Sequence, residues 1–70
     1  MNQLKSFFLN NEKYIIKQQI NLDDLITYFD YNESLLVLEY NQVIFDKSHW
    51  TTTFIKDLDE IEIVTIVGGG

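Results

Sequence analysis

Apolar residues in the first sixteen or so positions of the chain follow the pattern of two short strands. Residues 4–10 are apolar and aromatic, and residues 12–17 carry a second run of the same kind. Asn10 and Asn11 lie between the two runs, and asparagine tolerates the left-handed backbone conformation that tight hairpin turns require. The pattern predicts a β-hairpin at the start of the chain.

The apolar residues that come after the predicted hairpin have the spacing of a helix. Apolar residues recur there at i, i+3, i+4 and i+7; they are Leu22, Leu25, Ile26 and Phe29. Asn21 precedes them as a candidate N-cap, and Asp23 and Asp24 lie in the first turn, where negative charge complements the helix dipole. We therefore predict one amphipathic helix over about residues 22–29.

The second half of the chain returns to strand patterns. The apolar segment 35–40 is followed by a predicted turn at Asn41 and Gln42 and by a return strand at 43–45. Residues 46–50 are a polar connection, for which we predict one helical turn capped by Asp46. Residues 51–55 are rich in β-branched side chains and predict a further short strand.

The last predicted strand covers residues 60–67. Ile61 and Ile63 alternate with Glu60 and Glu62, so one face is expected to be buried and the other exposed, whereas both faces become apolar past Thr65. The whole element order indicates an α+β domain in which one helix packs across one mixed sheet. Periodicity alone does not give the order of the strands within that sheet.

Length and composition limit what the domain can do. Seventy residues form one domain, here residues 1–67, and a chain of this size buries only about 60% of its unfolded surface, so a self-contained enzyme cleft is not expected. The net charge of −6 argues against nucleic-acid binding and favours protein partners with basic surfaces. The absence of cysteine excludes disulfides and a thiol nucleophile within the chain.

No export leader or stretch of about 20 apolar residues is evident, so an intracellular chain without membrane association is expected. Alanine, arginine and proline are absent, while Ile, Asn and Lys are common. Because the missing residues have GC-rich codons, this bias indicates an AT-rich gene. It predicts a plastid stromal or a bacterial cytoplasmic protein.

All three glycines stand together at the end of the chain, as Gly68, Gly69 and Gly70, directly after an apolar strand pattern. Glycine ordinarily serves turns, so this placement predicts a flexible tail, slim enough to enter a narrow channel of another protein. The terminal carboxylate of Gly70 is the candidate reactive group. The alternative interpretation is an uninvolved flexible end.

Two parts of the sequence carry a family resemblance. The segment 38–50, with Asn41, Gln42 and Trp50, followed by the segment 59–67 and the glycines, resembles the sulfur carrier proteins of thiamine biosynthesis, the ThiS family. The resemblance covers the whole chain; a third glycine and Asp46 are its departures. It implies a β-grasp fold, as in ubiquitin-like proteins, with a mixed sheet of four to five strands and the last strand beside the first.

The resemblance also implies a function that is not enzymatic. A ubiquitin-activating-like adenylyltransferase would use ATP to adenylate the Gly70 carboxylate, and a persulfide sulfur donor would convert it to a thiocarboxylate. Thiazole synthase would then take the sulfur, and the chain itself would bind no cofactor. From the strand pattern we expect Val37, Val64 and Ile66 to share an exposed face that helps to form the docking surface.

Other functions remain open at this stage: the small subunit of molybdopterin synthase, a ubiquitin-like protein modifier, and a structural adaptor. Ser48 and His49 are neighbours that seldom face each other, so surface positions are favoured over a catalytic pair. The acidic residues Asp57, Asp59, Glu60 and Glu62 predict a solvated acidic face rather than a cation site. Core or half-core packing is expected for six of the aromatics, namely Phe7, Phe8, Phe29, Phe45, Trp50 and Phe54.

Overall fold

The computed structural model describes residues 4–66 of the chain. It contains five strands and one α-helix, together with 3-10 turns at Glu33–Leu35 and Lys47–Thr52. The main elements are β1 (Lys5–Leu9), β2 (Glu12–Ile16), α1 (Leu22–Tyr28), β3 (Leu36–Tyr40), β4 (Val43–Phe45) and β5 (Asp59–Thr65).

The five strands form one mixed sheet in the order β2-β1-β5-β3-β4. The central strand β5 runs parallel to β1, with Phe7 opposite Asp59, and antiparallel to β3, with Leu38 opposite Ile63. The helix α1 is the crossover from β2 to β3, which run in the same direction on opposite sides of the β1–β5 pair. This is the β-grasp arrangement, so the predicted α+β class, the single main helix and the central last strand are confirmed.

The helix begins where the sequence predicted and ends one residue early. Asn21 and Asp24 form a capping box: the Asp24 N–H donates to Asn21 Oδ1 over 2.7 Å, and the Asn21 N–H donates to Asp24 Oδ2 over 3.1 Å. Phe29 is the C-cap, and Asp30 follows in the left-handed region at φ 59°. The chain therefore turns away from the helix axis at this point.

The core lies between α1 and the inner face of the sheet. Its buried members are Phe7, Leu9, Leu22, Leu25, Ile26, Leu38, Trp50, Ile55, Ile61 and Ile63. Trp50 satisfies its indole N–H by donating to the Phe45 carbonyl over 3.2 Å. Of the six aromatics for which core or half-core packing was predicted, all but Phe54 are buried or half-buried, and Phe54 is exposed.

The prediction of a short strand at residues 51–55 is wrong. Residues 51 and 52 belong to the 3-10 turn, and Phe54 makes one isolated β-bridge, to Asn21. The hydroxyls of Thr52 and Thr53 donate to the His49 carbonyl over 3.2 and 2.8 Å, so they support the turn. Local side-chain bonds of this kind compete with strand pairing and outweigh the β propensity of threonine here.

Candidate functional site

The central strand β5 is the last strand before the C-terminal glycines in the sequence. It ends at Thr65, and the N–H of the next residue, Ile66, donates to the Leu35 carbonyl over 2.6 Å. The chain is thus hydrogen-bonded to the rest of the domain up to its last described residue. Gly68, Gly69 and Gly70 lie outside the described residues, and their assignment as a tail with a reactive carboxylate stays a prediction.

Two asparagines from hairpin turns fix β5 from its two sides. Asn10 and Asn41 adopt positive φ values of 49° and 50°. Asn10 Oδ1 accepts from the Ile63 N–H over 2.8 Å, and Asn41 Oδ1 accepts from the Glu60 N–H, also over 2.8 Å. Each turn residue therefore serves both the hairpin and the central strand, which sequence patterns did not reveal.

The three predicted docking residues occur together on the outer face of the sheet, which points away from α1. Val37 and Val64 are direct cross-strand partners. Val64 is 54% exposed and Ile66 is 53% exposed, whereas Val37 is half-buried. The arrangement gives an apolar patch next to the point where the chain continues towards the glycines; its docking role stays a prediction.

Sequence reasoning missed Ile44, which lies on the same outer face. It pairs with Glu39 across β3 and β4 and is 69% exposed. The alternation of side chains along the three-residue strand β4 was the available signal, since its neighbours point to the other face. Ile44 extends the exposed apolar surface towards the sheet edge.

Carboxylates occupy the middle of the outer face. Glu39 and Glu62 are cross-strand partners, and Glu60 lies two residues before Glu62 on β5, opposite Phe8. In residues 4–66 one ion pair occurs, between Lys47 and Glu33 at 2.6 Å, so these three carboxylates have no ion-pair partner within the described domain. Their uncompensated charge favours a partner surface that is basic.

Asp59 departs from the predicted acidic face because it points inward and is buried. Its carboxylate accepts hydrogen bonds from the Tyr40 hydroxyl, from Asn41 Nδ2 over 3.1 Å and from the Lys56 N–H over 2.6 Å. Burial, together with the hydrogen bond and the charge of Asp59, raises the pKa of Tyr40 well above its usual range. No group of side chains arranged to hold a metal ion occurs among residues 4–66.

Ser48 and His49 do not form a catalytic pair. The Ser48 hydroxyl and N–H both donate to Asp46 Oδ2, over 2.6 and 3.0 Å. These bonds lower the pKa of Asp46 and make it the predicted cap of the 3-10 turn. The His49 ring lies beside that of Phe45, with centroids 6.3 Å apart, so the surface interpretation fits their surroundings.

Comparison with known proteins decides the family. The model of the ThiS family matches residues 2–70, which is nearly the whole chain. The chain belongs to the ThiS family.

Relatives of this ThiS-family chain include proteins named ycf40. The one from Trieres chinensis is 56% identical over 66 residues, which cover 94% of this chain and 90% of the relative. The one from Porphyra purpurea is 33% identical over 70 residues, which cover 100% of this chain and 99% of the relative. The ycf40 proteins are encoded in the plastid genomes of algae.

A crystal structure of the thiamine biosynthesis protein ThiS from Geobacter metallireducens has the same fold. It matches with a TM-score of 0.78 over 93% of this chain and 99% of that chain, at 19% sequence identity. The likeness is thus one of architecture. Within residues 4–66, no helix has the length and apolar character needed to cross a membrane.

Proposed function

We propose that this ThiS-family chain is a sulfur carrier for thiazole formation in thiamine biosynthesis, and that it is a protein substrate rather than an enzyme. Gly70 would bear the reacting carbon. The observation that supports the proposal is the course of β5, which passes through the centre of the sheet and continues, after Ile66 and one further residue, into Gly68, Gly69 and Gly70.

The chemistry begins with an unreactive group. A C-terminal carboxylate has a pKa of about 3.3 to 3.7, so at neutral pH it is an anion that resists nucleophilic attack. ATP converts it to an acyl adenylate and releases pyrophosphate in the active site of a ubiquitin-activating-like adenylyltransferase. A persulfide sulfur then displaces AMP, and thiol cleavage of the S–S bond leaves the thiocarboxylate, which thiazole synthase consumes.

The glycines suit this transfer because nothing wider than the backbone has to enter the partner. Three extended residues reach about 10 Å. Fixing a backbone costs about 1 to 2 kcal/mol per residue, so ordering the tail costs about 3 to 6 kcal/mol. Contacts of the partner with the patch formed by Val37, Val64 and Ile66 would offset this cost, and basic groups of the partner would face the carboxylates beside it.

Mass spectrometry tests the proposal. The purified chain is incubated with the adenylyltransferase, ATP and a persulfide donor; we expect a mass gain equal to the exchange of one oxygen for sulfur. A variant that lacks Gly70 should gain no mass under the same conditions. The adenylyltransferase is first shown to be active on the sulfur carrier that it normally uses. An unchanged mass for the intact chain would then contradict the proposal and leave an adaptor role.

The acceptor of the sulfur separates this proposal from a role as the small subunit of molybdopterin synthase. The thiocarboxylated chain is offered in turn to thiazole synthase and to the large subunit of molybdopterin synthase. Transfer to the first is expected, and a null mutant should require thiamine. The plastid-encoded ycf40 relatives support the proposal that the reaction occurs in the plastid stroma, which fractionation of the source cells would test.

A further inference from the structure

A cleft of about 690 Å³ lies between the edge strand β2 and the helix α1, on the side of the molecule away from the patch of Val37 and Val64. Four aromatic rings line it in succession, with centroids 5.6, 5.4 and 5.1 Å apart. They are Phe7, Tyr14, Phe29 and Tyr28. The ring of Tyr28 is 81% exposed, although the row begins in the core with Phe7.

The strand beside this cleft has a free edge. Within residues 4–66, β2 pairs with β1 alone. Leu9 and Glu12 flank the two-residue turn and form a hydrogen-bonded pair, so by alternation Lys13 and Ile15 turn their backbone N–H and C=O groups away from β1. These groups can accept an added strand at the mouth of the cleft.

Charge is distributed unequally between the hairpin and the rest of the chain. Residues 1–20 hold three lysines and one glutamate, which gives +2, whereas residues 21–70 hold two lysines and ten acidic residues, which gives −8. Lys17 lines the cleft, and Lys5 lies opposite Ile16 at the same end of β2. Among the lining residues Asp24 is acidic; its carboxylate keeps its charge and is held at the start of α1, where it accepts the Asn21 N–H.

We infer that this cleft binds an extended segment of a partner protein as a sixth strand of the sheet. Alternate aliphatic side chains of the segment lie over the aromatic rings, and acidic residues at its end face Lys17 and Lys5. The occupant is acidic because the hairpin is the positive region of an otherwise negative molecule. The cleft lies away from the patch of Val37 and Val64, so the inference does not depend on sulfur transfer.

The test uses the isolated full-length chain, labelled with nitrogen-15, and a blocked peptide with the centre Val-Thr-Ile-Thr-Val between two aspartates at each end. We expect slower amide exchange at Lys13 and Ile15 and shifted ring signals from Tyr14, Tyr28 and Phe29. A peptide with lysines in place of the aspartates, and one N-methylated at alternate backbone positions, should bind at least about fivefold more weakly.

Two charge variants form a matched pair, since both lysines are exposed and each change alters the net charge equally. Lys17→Glu should weaken binding about fivefold, whereas Lys56→Glu, outside the cleft, should leave it nearly unchanged. Tyr28→Ala should weaken binding without loss of fold, because that ring is largely exposed.

In the peptide experiments, three outcomes would overturn the inference: no binding at millimolar peptide, equal effects of the two lysine variants, or chemical-shift changes confined to the outer face. Concentration-dependent protection of Lys13 and Ile15 without peptide would assign the edge to a second copy of the chain and would likewise overturn it. None of these results bears on whether Gly70 carries sulfur.

Discussion

The side-chain amide of Asn10 pairs with the backbone of Ile63 as a neighbouring strand would. Its Oδ1 accepts from the Ile63 N–H over 2.8 Å, and its Nδ2 donates to the Ile63 carbonyl over 3.3 Å. Strand β1 ends at Leu9, one residue earlier, while β5 continues to Thr65. Asn10 thus extends the support of the central strand towards its C-terminal end.

Replacing Asn10 by glycine should lower the free energy of unfolding by about 1 to 3 kcal/mol, because two hydrogen bonds to the central strand are lost while the positive φ is still tolerated. Asn11→Gly is the matched control: its φ is 69°, and its side chain makes no hydrogen bond in the described part of the chain. Urea unfolding measures the free energy of unfolding of both variants.

Amide hydrogen exchange locates the effect of the same substitution. Faster exchange at Val64 and Ile66 in Asn10→Gly, but not in Asn11→Gly, would show that Asn10 holds the end of β5 in place. Equal stability and equal exchange in the two variants would contradict this role.

Most of the fold follows from the local pattern of the sequence, and the exceptions have physical reasons. The alternation in β5 and the helical spacing from Leu22 are local signals of burial. The strand predicted at 51–55 failed because threonine hydroxyls bind the His49 carbonyl. The pairing of Asn10 with Ile63 spans 53 residues, and no local pattern encodes a partner at that distance.

Part of the candidate site was predicted from the same local alternation of side chains. Alternation along β5 and β3 was sufficient to place Val37 and Val64 on one face, where they pair directly. It was not sufficient for Asp59, since the charge of a carboxylate predicts exposure. Three hydrogen-bond donors from Tyr40, Asn41 and Lys56 make its burial tolerable.

Substitution of Val64 tests the docking surface. Val64→Asp should reduce kcat/KM for adenylation about tenfold or more, because a charge is placed in the apolar patch beside Val37. Val43→Asp is the control: Val43 is 57% exposed, close to the 54% of Val64, but lies in the edge strand β4 with its side chain on the other face. Equal rates for both variants would remove Val64 from the docking surface.

The contact between Tyr40 and Asp59 predicts a loss of stability at high pH. The pKa of Tyr40 is raised in the folded state above its ordinary value of 10.0, so the folded protein retains this proton when the unfolded chain has lost it. The stability that Tyr40 contributes to the folded state is therefore fully present below about pH 10. It is lost as the pH rises from there towards the pKa of Tyr40 in the folded protein. Urea midpoints measured from pH 8 to pH 12 should fall across this range, as far as the folded domain persists.

Two phenylalanine variants isolate the tyrosine responsible. Tyr40→Phe should flatten the alkaline decrease in stability, whereas Tyr28→Phe, at a largely exposed ring, should leave it as in the parent protein. A decrease of the same steepness in both variants would assign it to other groups.

The carboxylates of Glu39 and Glu62 lie opposite each other on neighbouring strands, and like charges in this position are destabilising. Glu62→Gln should therefore raise the free energy of unfolding by about 0.2 to 1 kcal/mol at low salt, while Glu60→Gln, opposite Phe8, should raise it less. The stabilised variant should associate more slowly with a basic partner, with a weaker dependence on ionic strength. If Glu62→Gln instead bound the adenylyltransferase as fast as the parent at low salt, the acidic face would have no part in steering; an unchanged free energy of unfolding would contradict the repulsion between Glu39 and Glu62.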